Sequence, residues 1–204
     1  RTRLQGAGWV NTDERLARLE RALQQAKVSA YREGGGADPQ SLLQALAVDR
    51  SGGSTPDECA GIAQEKCRVV EDQSLRLVGG GAKLTPDNAA ADGGAATMPG
   101  DSTVWGMQLP LTDLLPAQGK WKIKVRARVE TSGAAEGTGM QLGLHPGDNH
   151  SYKTSQLAGS KYQTLTLPGS YQQGDADYLW LAPAGNKGVK RILIDRIIAV
   201  PEPG

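Results

Sequence analysis

Residues 120–131, KWKIKVRARVET, alternate without a break. Trp121, Ile123, Val125, Ala127 and Val129 take one set of positions; Lys120, Lys122, Lys124, Arg126 and Arg128 take the other. Successive side chains of a strand point to opposite faces, so one face of this segment rests on a core and the other meets water. A helix would scatter the same apolar residues around its circumference. The segment is therefore predicted to be a long antiparallel strand in a half-solvated sheet, with Trp121 in the core.

The strand's polar face is a basic stripe, and its meaning depends on the rest of the chain. Across 204 residues, 23 basic and 22 acidic side chains leave a formal net charge of +1. That balance supplies no global attraction to nucleic acid or to an anionic membrane surface, so the stripe reads as a solvated face neutralised by acidic neighbours. No apolar run approaches the roughly 20 residues that span a bilayer. No nucleic-acid partner and no membrane span are expected.

Further strand signals recur at short intervals beyond Cys67: residues 67–71, 75–78, 103–111, 139–145, 162–167, 177–183 and 189–200. Loops rich in Gly, Pro, Asn and Asp separate them, and the AADGGAATMPGDS stretch reads as turn. About eight such strands predict an all-β sandwich over residues 67–204. Residues 1–49 differ. Asn11 and Glu14 resemble a capping box, and Leu16, Leu19, Leu23, Ala26 and Ala30 form one apolar stripe. A second short helix opens at Asp38-Pro39 and carries Leu42, Leu43 and Leu46. Two helices of this size cannot bury their own stripe, so it must dock on the β domain, on a partner chain or on an upstream domain, and the segment is expected to be the tail of a larger upstream domain. Residues 50–66, rich in Ser, Gly, Thr and Pro, read as a linker.

Cys59 and Cys67 are the only cysteines. They either pair and close a small loop, which implies an oxidising compartment, or remain two reduced thiols; the polar, linker-like setting favours pairing.

The order of these features resembles the galactose-binding-like jelly rolls that serve as carbohydrate-binding modules of secreted glycoside hydrolases. The pieces that carry the likeness are ADGGAATMPGDSTVWGMQLPL, GKWKIKVRARV, YLWLAPAGN and the closing VKRILIDRIIAV, over about residues 67–200. The resemblance implies a mainly β jelly-roll sandwich preceded by the two-helix segment, and an extracellular, periplasmic or cell-surface location. It also implies a structural Ca²⁺, with Glu71 or Asp72 of the first strand and Asp195 of the closing strand as ligands. Oxygen donors suit that hard cation. Pairing of Asp195 with Arg196 or Arg191 is the alternative reading.

Sugar recognition needs an apolar platform and polar groups aimed at hydroxyls. Trp105 stands at a strand start beside Gly106, and the loop HPGDNHSY offers His145, Asp148, Asn149, His150 and Tyr152. These six residues are the candidate glycan contacts; a plain solvated turn is the competing reading of the loop. Trp180, alternating with Tyr178 and Ala182, is assigned to the core. Asn149-His150-Ser151 is also a glycosylation sequon. No nucleophile elbow or phosphate loop is present, and Gly79-Gly80-Gly81 does not open a helix. The sequence therefore predicts a non-catalytic carbohydrate-binding or accessory module of a secreted glycan-processing enzyme. A structural or protein-interaction domain of a surface assembly is the alternative.

Overall fold

The computed structural model describes residues 56–63, 66–133 and 136–202, all within the compact unit Gly53–Gly204. The two helices expected before residue 50 lie outside the described residues. In chain order the strands are β1 (Arg68–Glu71), β2 (Arg76–Leu77), β3 (Lys83–Pro86), β4 (Gly94–Pro99), β5 (Met107–Pro110) and β6 (Trp121–Thr131). They continue with β7 (Thr138–His145), β8 (Asn149–Lys153), β9 (Gln163–Thr166), β10 (Tyr178–Pro183) and β11 (Val189–Pro201). Single-turn helices α1 (Leu111–Leu114) and α2 (Thr154–Leu157) sit in the connections.

Two antiparallel sheets face each other. One runs β3-β4-β11-β6-β9 with β1 also paired to β11; the other runs β2-β5-β10-β7-β8. The alternation of β6 does what its period requires. Ile123, Val125, Ala127 and Val129 are fully buried and Trp121 nearly so, all in the inter-sheet core with Leu109, Leu142, Leu179, Leu181, Ile192 and Ile194. Each Val, Leu or Ile side chain among these contributes about 1.5–3 kcal/mol relative to leaving it exposed.

β11 is the spine of the first sheet. Its first half pairs with β4 and its second half with β1, while β6 lies along its other side. The register shifts between Ile194 and Arg196. One extra residue flips the inward parity, so Ile192 and Ile194 face the core before the shift and Ile197 and Ala199 after it. Asp195 is the extra residue, placed where β11 passes from one partner strand to the other.

The outer face of this sheet is less wet than the pattern implies. Cys59 is bonded to Cys67 with their Cα atoms 5.7 Å apart, and this loop packs with Ile62 and Val69 on Ile198 and Val200. Much of the segment read as a linker is thus part of the sandwich. The β3–β4 loop covers a second patch through Ala90, which packs with Ala95, Tyr162 and Leu193. Three cations of the basic stripe are paired with acidic neighbours. Lys122 pairs with Glu202 at 3.4 Å, Arg126 with Asp195 at 3.4 Å, and Arg128 with Asp87 at 2.8 Å and Glu130 at 3.1 Å. Among the described residues no helix is long and apolar enough to cross a membrane.

Candidate functional site

The outer face of the second sheet carries the aromatic residues. Leu179 and Leu181 of β10 belong to the core, so Tyr178 and Trp180 project to the opposite side. In register across β10 and β7, Tyr178 lies opposite His145 and Trp180 opposite Gly143. A Cβ on Gly143 would stand 2.8 Å from Trp180 Cζ2, so the bare glycine is what lets the indole lie against the β7 backbone. On its other side Trp180 is covered by Trp105, with ring centroids 5.4 Å apart and planes 13° apart. This offset stack leaves Trp180 only 7 % exposed and Trp105 43 % exposed. Trp180 is therefore buried, as expected, but outside the inter-sheet core to which the sequence assigned it.

His145 adds a second stack. Its imidazole lies on the Tyr178 ring at 4.9 Å and 20°, and meets Trp105 at 6.4 Å and 66°. Trp105, His145, Tyr178 and Trp180 thus form one aromatic array at an exposed sheet face. Val78 and Val104, both exposed, flank the Trp105 loop.

The remaining loop candidates divide by strand parity. Asn149 pairs with Gly143 and is exposed, so it joins the array face. His150 and Tyr152 pair with Leu142 and Met140 and so point toward the core side. Tyr152 packs against the core, and its hydroxyl donates to the Thr166 carbonyl at 3.2 Å, tying β8 to the first sheet's edge strand β9. Neither His150 nor Tyr152 reaches the array. Asp148 is exposed in the turn; its carbonyl accepts from Leu144 N–H at 3.1 Å. Its charge reaches Tyr171, whose phenol is pushed up by burial and then by Asp148. The expected polar loop is in large part strand, and its alternate residues serve different faces.

The acidic residues converge on the other sheet. Carboxylate oxygens of Glu71, Asp92 and Asp195 lie within 4.8 Å of one another. Glu71 comes from the end of β1, Asp92 from the β3–β4 loop, and Asp195 from the β11 bulge. Of the two alternatives at the first strand it is Glu71 that joins Asp195; Asp72 is buried in the 3-10 turn that follows β1, and Asp92 is a member the sequence reading did not name. Asp195 Oδ1 accepts from Ala91 N–H at 2.9 Å, and its Oδ2 lies 3.4 Å from both Arg126 Nε and Arg196 Nε. The Arg196 alternative is thus realised, joined by Arg126; Arg191 pairs with Glu130 instead.

This pairing does not balance the cluster. Burial pushes the Glu71 carboxyl up to about 7, with Asp92, Asp195 and Asp72 adding to the rise against Arg196. Glu71 Oε2 is buried, accepts no hydrogen bond, and lies 4.0 Å from Arg196 Nε. Three converging carboxyl groups, all oxygen donors, with an orphaned oxygen on Glu71, fit a divalent hard cation.

No family model matches the chain, and no curated protein matches it. Solved structures do resemble its fold. A family 35 carbohydrate-binding module from Clostridium thermocellum is 20 % identical over 65 % of this chain and 97 % of that one, with a TM-score of 0.48. The CBM35 from Cellvibrio japonicus Abf62 is 15 % identical over 67 % of this chain and 94 % of that one, at 0.48. An exo-β-1,3-galactanase from Phanerochaete chrysosporium is 12 % identical over 66 % of this chain, at 0.45; the likeness spans only 29 % of the enzyme's length.

Proposed function

We propose that this chain is a non-catalytic carbohydrate-binding accessory module of a secreted glycan-processing enzyme. The observation that carries the reading is the exposed array of Trp105 and His145, each backed by a second ring, on the outer face of a sheet. Stacked aromatic rings present a flat apolar face that suits the C–H face of a pyranose, and they are rigid before the ligand arrives. Exposed Asn149 on the same face supplies an amide for hydroxyls. The Cys59–Cys67 bond supports an oxidising, extracellular or periplasmic setting. A polysaccharide is the partner at the array, and an upstream catalytic domain is the partner on the side of residues 1–49.

Glu71, Asp92 and Asp195 would hold a Ca²⁺ that neutralises the cluster and ties β1, the β3–β4 loop and β11 together. Its role there is structural, since the trio belongs to the other sheet from the array.

A glycan array displaying plant and microbial oligosaccharides tests the main reading. Wild-type protein is expected to mark a defined set of glycans, and Trp105→Ala to lose them. A blank array for the wild-type protein would overturn sugar binding and leave the structural-domain reading.

A further inference from the structure

We propose that Gly80 is a positioning residue for the aromatic array: the turn it centres is the seat that holds Trp105 on Trp180. This rests on the sugar-binding reading above and adds the device that keeps the outer ring in place before a glycan arrives. Trp105 comes from the irregular connection between β4 and β5, so its orientation is set by what its backbone rests on. That connection is anchored at both ends. The Ser102 carbonyl accepts from Gly185 N–H at 3.0 Å; Gly106 N–H donates to the Leu181 carbonyl at 3.2 Å, and the Gly106 carbonyl accepts from Val78 N–H at 3.0 Å. Val104 and Trp105 lie between these anchors, and their backbone rests on Gly79-Gly80-Gly81, the run that links β2 of one sheet to β3 of the other.

The run forms a tight turn, closed by Ala82 N–H donating to the Gly79 carbonyl at 3.0 Å, with Gly80 at φ +62° and Gly81 at φ +78°. Two successive positive φ values are the mirror-image turn geometry that glycine adopts without steric cost. A Cβ on Gly79 would meet the Trp105 carbonyl oxygen at 3.4 Å and Val104 Cγ1 at 3.5 Å, so turn and loop are in van der Waals contact. At Gly80 the fit is closer: a Cβ would stand 2.8 Å from the Val104 carbonyl oxygen and 3.2 Å from Ser102 Oγ. The Val104 carbonyl shares a planar peptide unit with the Trp105 nitrogen, so pushing it away turns the indole off Trp180. Gly81 is the internal contrast. Its φ has the same sign, yet its Cβ would meet only the Pro99 ring, at 3.1 and 3.2 Å. Alanine at either position strains the turn; alanine at Gly80 alone displaces Val104 and Trp105. A ring held in advance costs the ligand nothing to order, and where only a fraction of molecules hold it seated, the apparent Kd rises by the inverse of that fraction.

The test uses the full chain, isotope-labelled, as wild type, Trp105→Ala, Gly80→Ala and Gly81→Ala, each checked by its melting curve to be folded. Gly80→Asn, which puts a Cβ on a residue that tolerates positive φ, takes the place of a Gly80→Ala that does not fold. In the proton–nitrogen spectrum the Trp180 indole N–H signal carries the ring-current shift of the covering ring, and its position in Trp105→Ala marks the uncovered state. In Gly80→Ala the signal is expected to move at least about half of that distance, which makes the seated fraction about half or less. In Gly81→Ala the melting temperature should fall and the signal should stay at its wild-type position. The linear hexasaccharides of xylose, mannose, glucose and galactose are then titrated into each protein. For any sugar that the wild type binds, Gly80→Ala is expected to bind about twofold or more weakly, by the inverse of its seated fraction, and saturation to return the Trp180 signal to its place in the wild-type complex. Gly81→Ala should bind as wild type does. A Trp180 signal unmoved in Gly80→Ala, or moved equally in Gly81→Ala, overturns the seat. A moved signal with an unchanged Kd overturns its part in sugar binding. A wild-type protein indifferent to all these sugars overturns the sugar-binding reading, and the indole signals alone then decide whether Gly80 seats Trp105.

Discussion

Trp105 covers Trp180 with the two indole planes 13° apart, so a residue from an irregular loop completes the face of a regular strand. Trp105→Ala should therefore have two separable effects. It exposes Trp180, which is seen as a red shift of the emission maximum, and it removes the outer sugar-facing ring. The stack's own contribution is about 0.5–1.5 kcal/mol, so the melting temperature should fall only modestly. Glycan binding should fall at least about tenfold, the loss of one good contact worth about 1.4 kcal/mol. An unshifted emission maximum would show that Trp105 does not cover Trp180 in solution.

Gly143 is the other side of the same arrangement. An added Cβ would lie 2.1 Å from the Asp148 carbonyl oxygen and 2.8 Å from Trp180 Cζ2. One of these is backbone and cannot swing aside. Gly143→Ala is expected to cost about 1–3 kcal/mol, the usual range for forced overpacking, and to loosen the turn before β8. Urea unfolding reads the loss; a midpoint equal to wild type would place Trp180 away from the β7 backbone.

Much of this architecture is written locally in the chain. β6 and β11 are legible because their alternation is strict, and even the β11 bulge leaves a trace: ILID and RIIAV are out of phase around Asp195. β4 is hidden among turn residues because Gly94, Ala95 and Ala96 have low strand propensity. Those small residues are what a strand needs when both faces are covered, and Ala95 and Ala96 are both fully buried. Trp180 looked like core because the residue that buries it arrives from a distant loop. Asp92 gave no local sign of joining Glu71 and Asp195, since only the fold of the β3–β4 loop brings it there. His150 and Tyr152 lie away from the array for a parity reason: the loop becomes strand at Asn149, and alternate residues turn inward.

The clasp on the first sheet's outer face makes a different prediction. Tyr162 OH donates to Asp87 Oδ2 at 2.5 Å, Arg128 Nη2 donates to the same oxygen at 2.8 Å, and the guanidinium lies 5.4 Å from the Tyr162 ring centre. Burial opposes ionisation of Asp87, but hydrogen bonds from Tyr162 and Arg128 outweigh it and hold the carboxyl below its usual value. A depressed folded pKa stabilises the protein above the unfolded value, and that stability is lost as pH falls through the folded value. Tyr162→Phe removes one charge-assisted hydrogen bond and should cost about 1.5–3 kcal/mol at pH 7. The cost should shrink at pH 3, where the carboxylate is being protonated. Urea unfolding at the two pH values checks it, and an equal cost at both would mean that the hydroxyl does not serve Asp87.

Glu71 carries the opposite sign. Its carboxyl is raised from 4.5 to about 7, chiefly by burial. Between those values the folded protein keeps a proton that the unfolded chain has released, so without a cation this group's contribution to stability falls as pH rises through that window. Below the unfolded value both states are protonated and the effect is gone. A Ca²⁺ held by Glu71, Asp92 and Asp195 would favour the ionised carboxylate and compete with that proton. Calcium should therefore raise the melting temperature strongly at pH 7.5 and little at pH 5. At about a hundred times its Kd the gain is about 2.7 kcal/mol. Glu71→Gln keeps the shape of the protonated group and removes the titration. Metal-free, the variant should match wild type near pH 5 and exceed it at pH 7.5; with calcium it should gain little at either. Scanning fluorimetry of both proteins after chelation, with and without added CaCl2, decides the matter. A wild-type melting temperature indifferent to calcium at pH 7.5 would leave Arg126 and Arg196 as the cluster's counter-charges and remove the metal from the account.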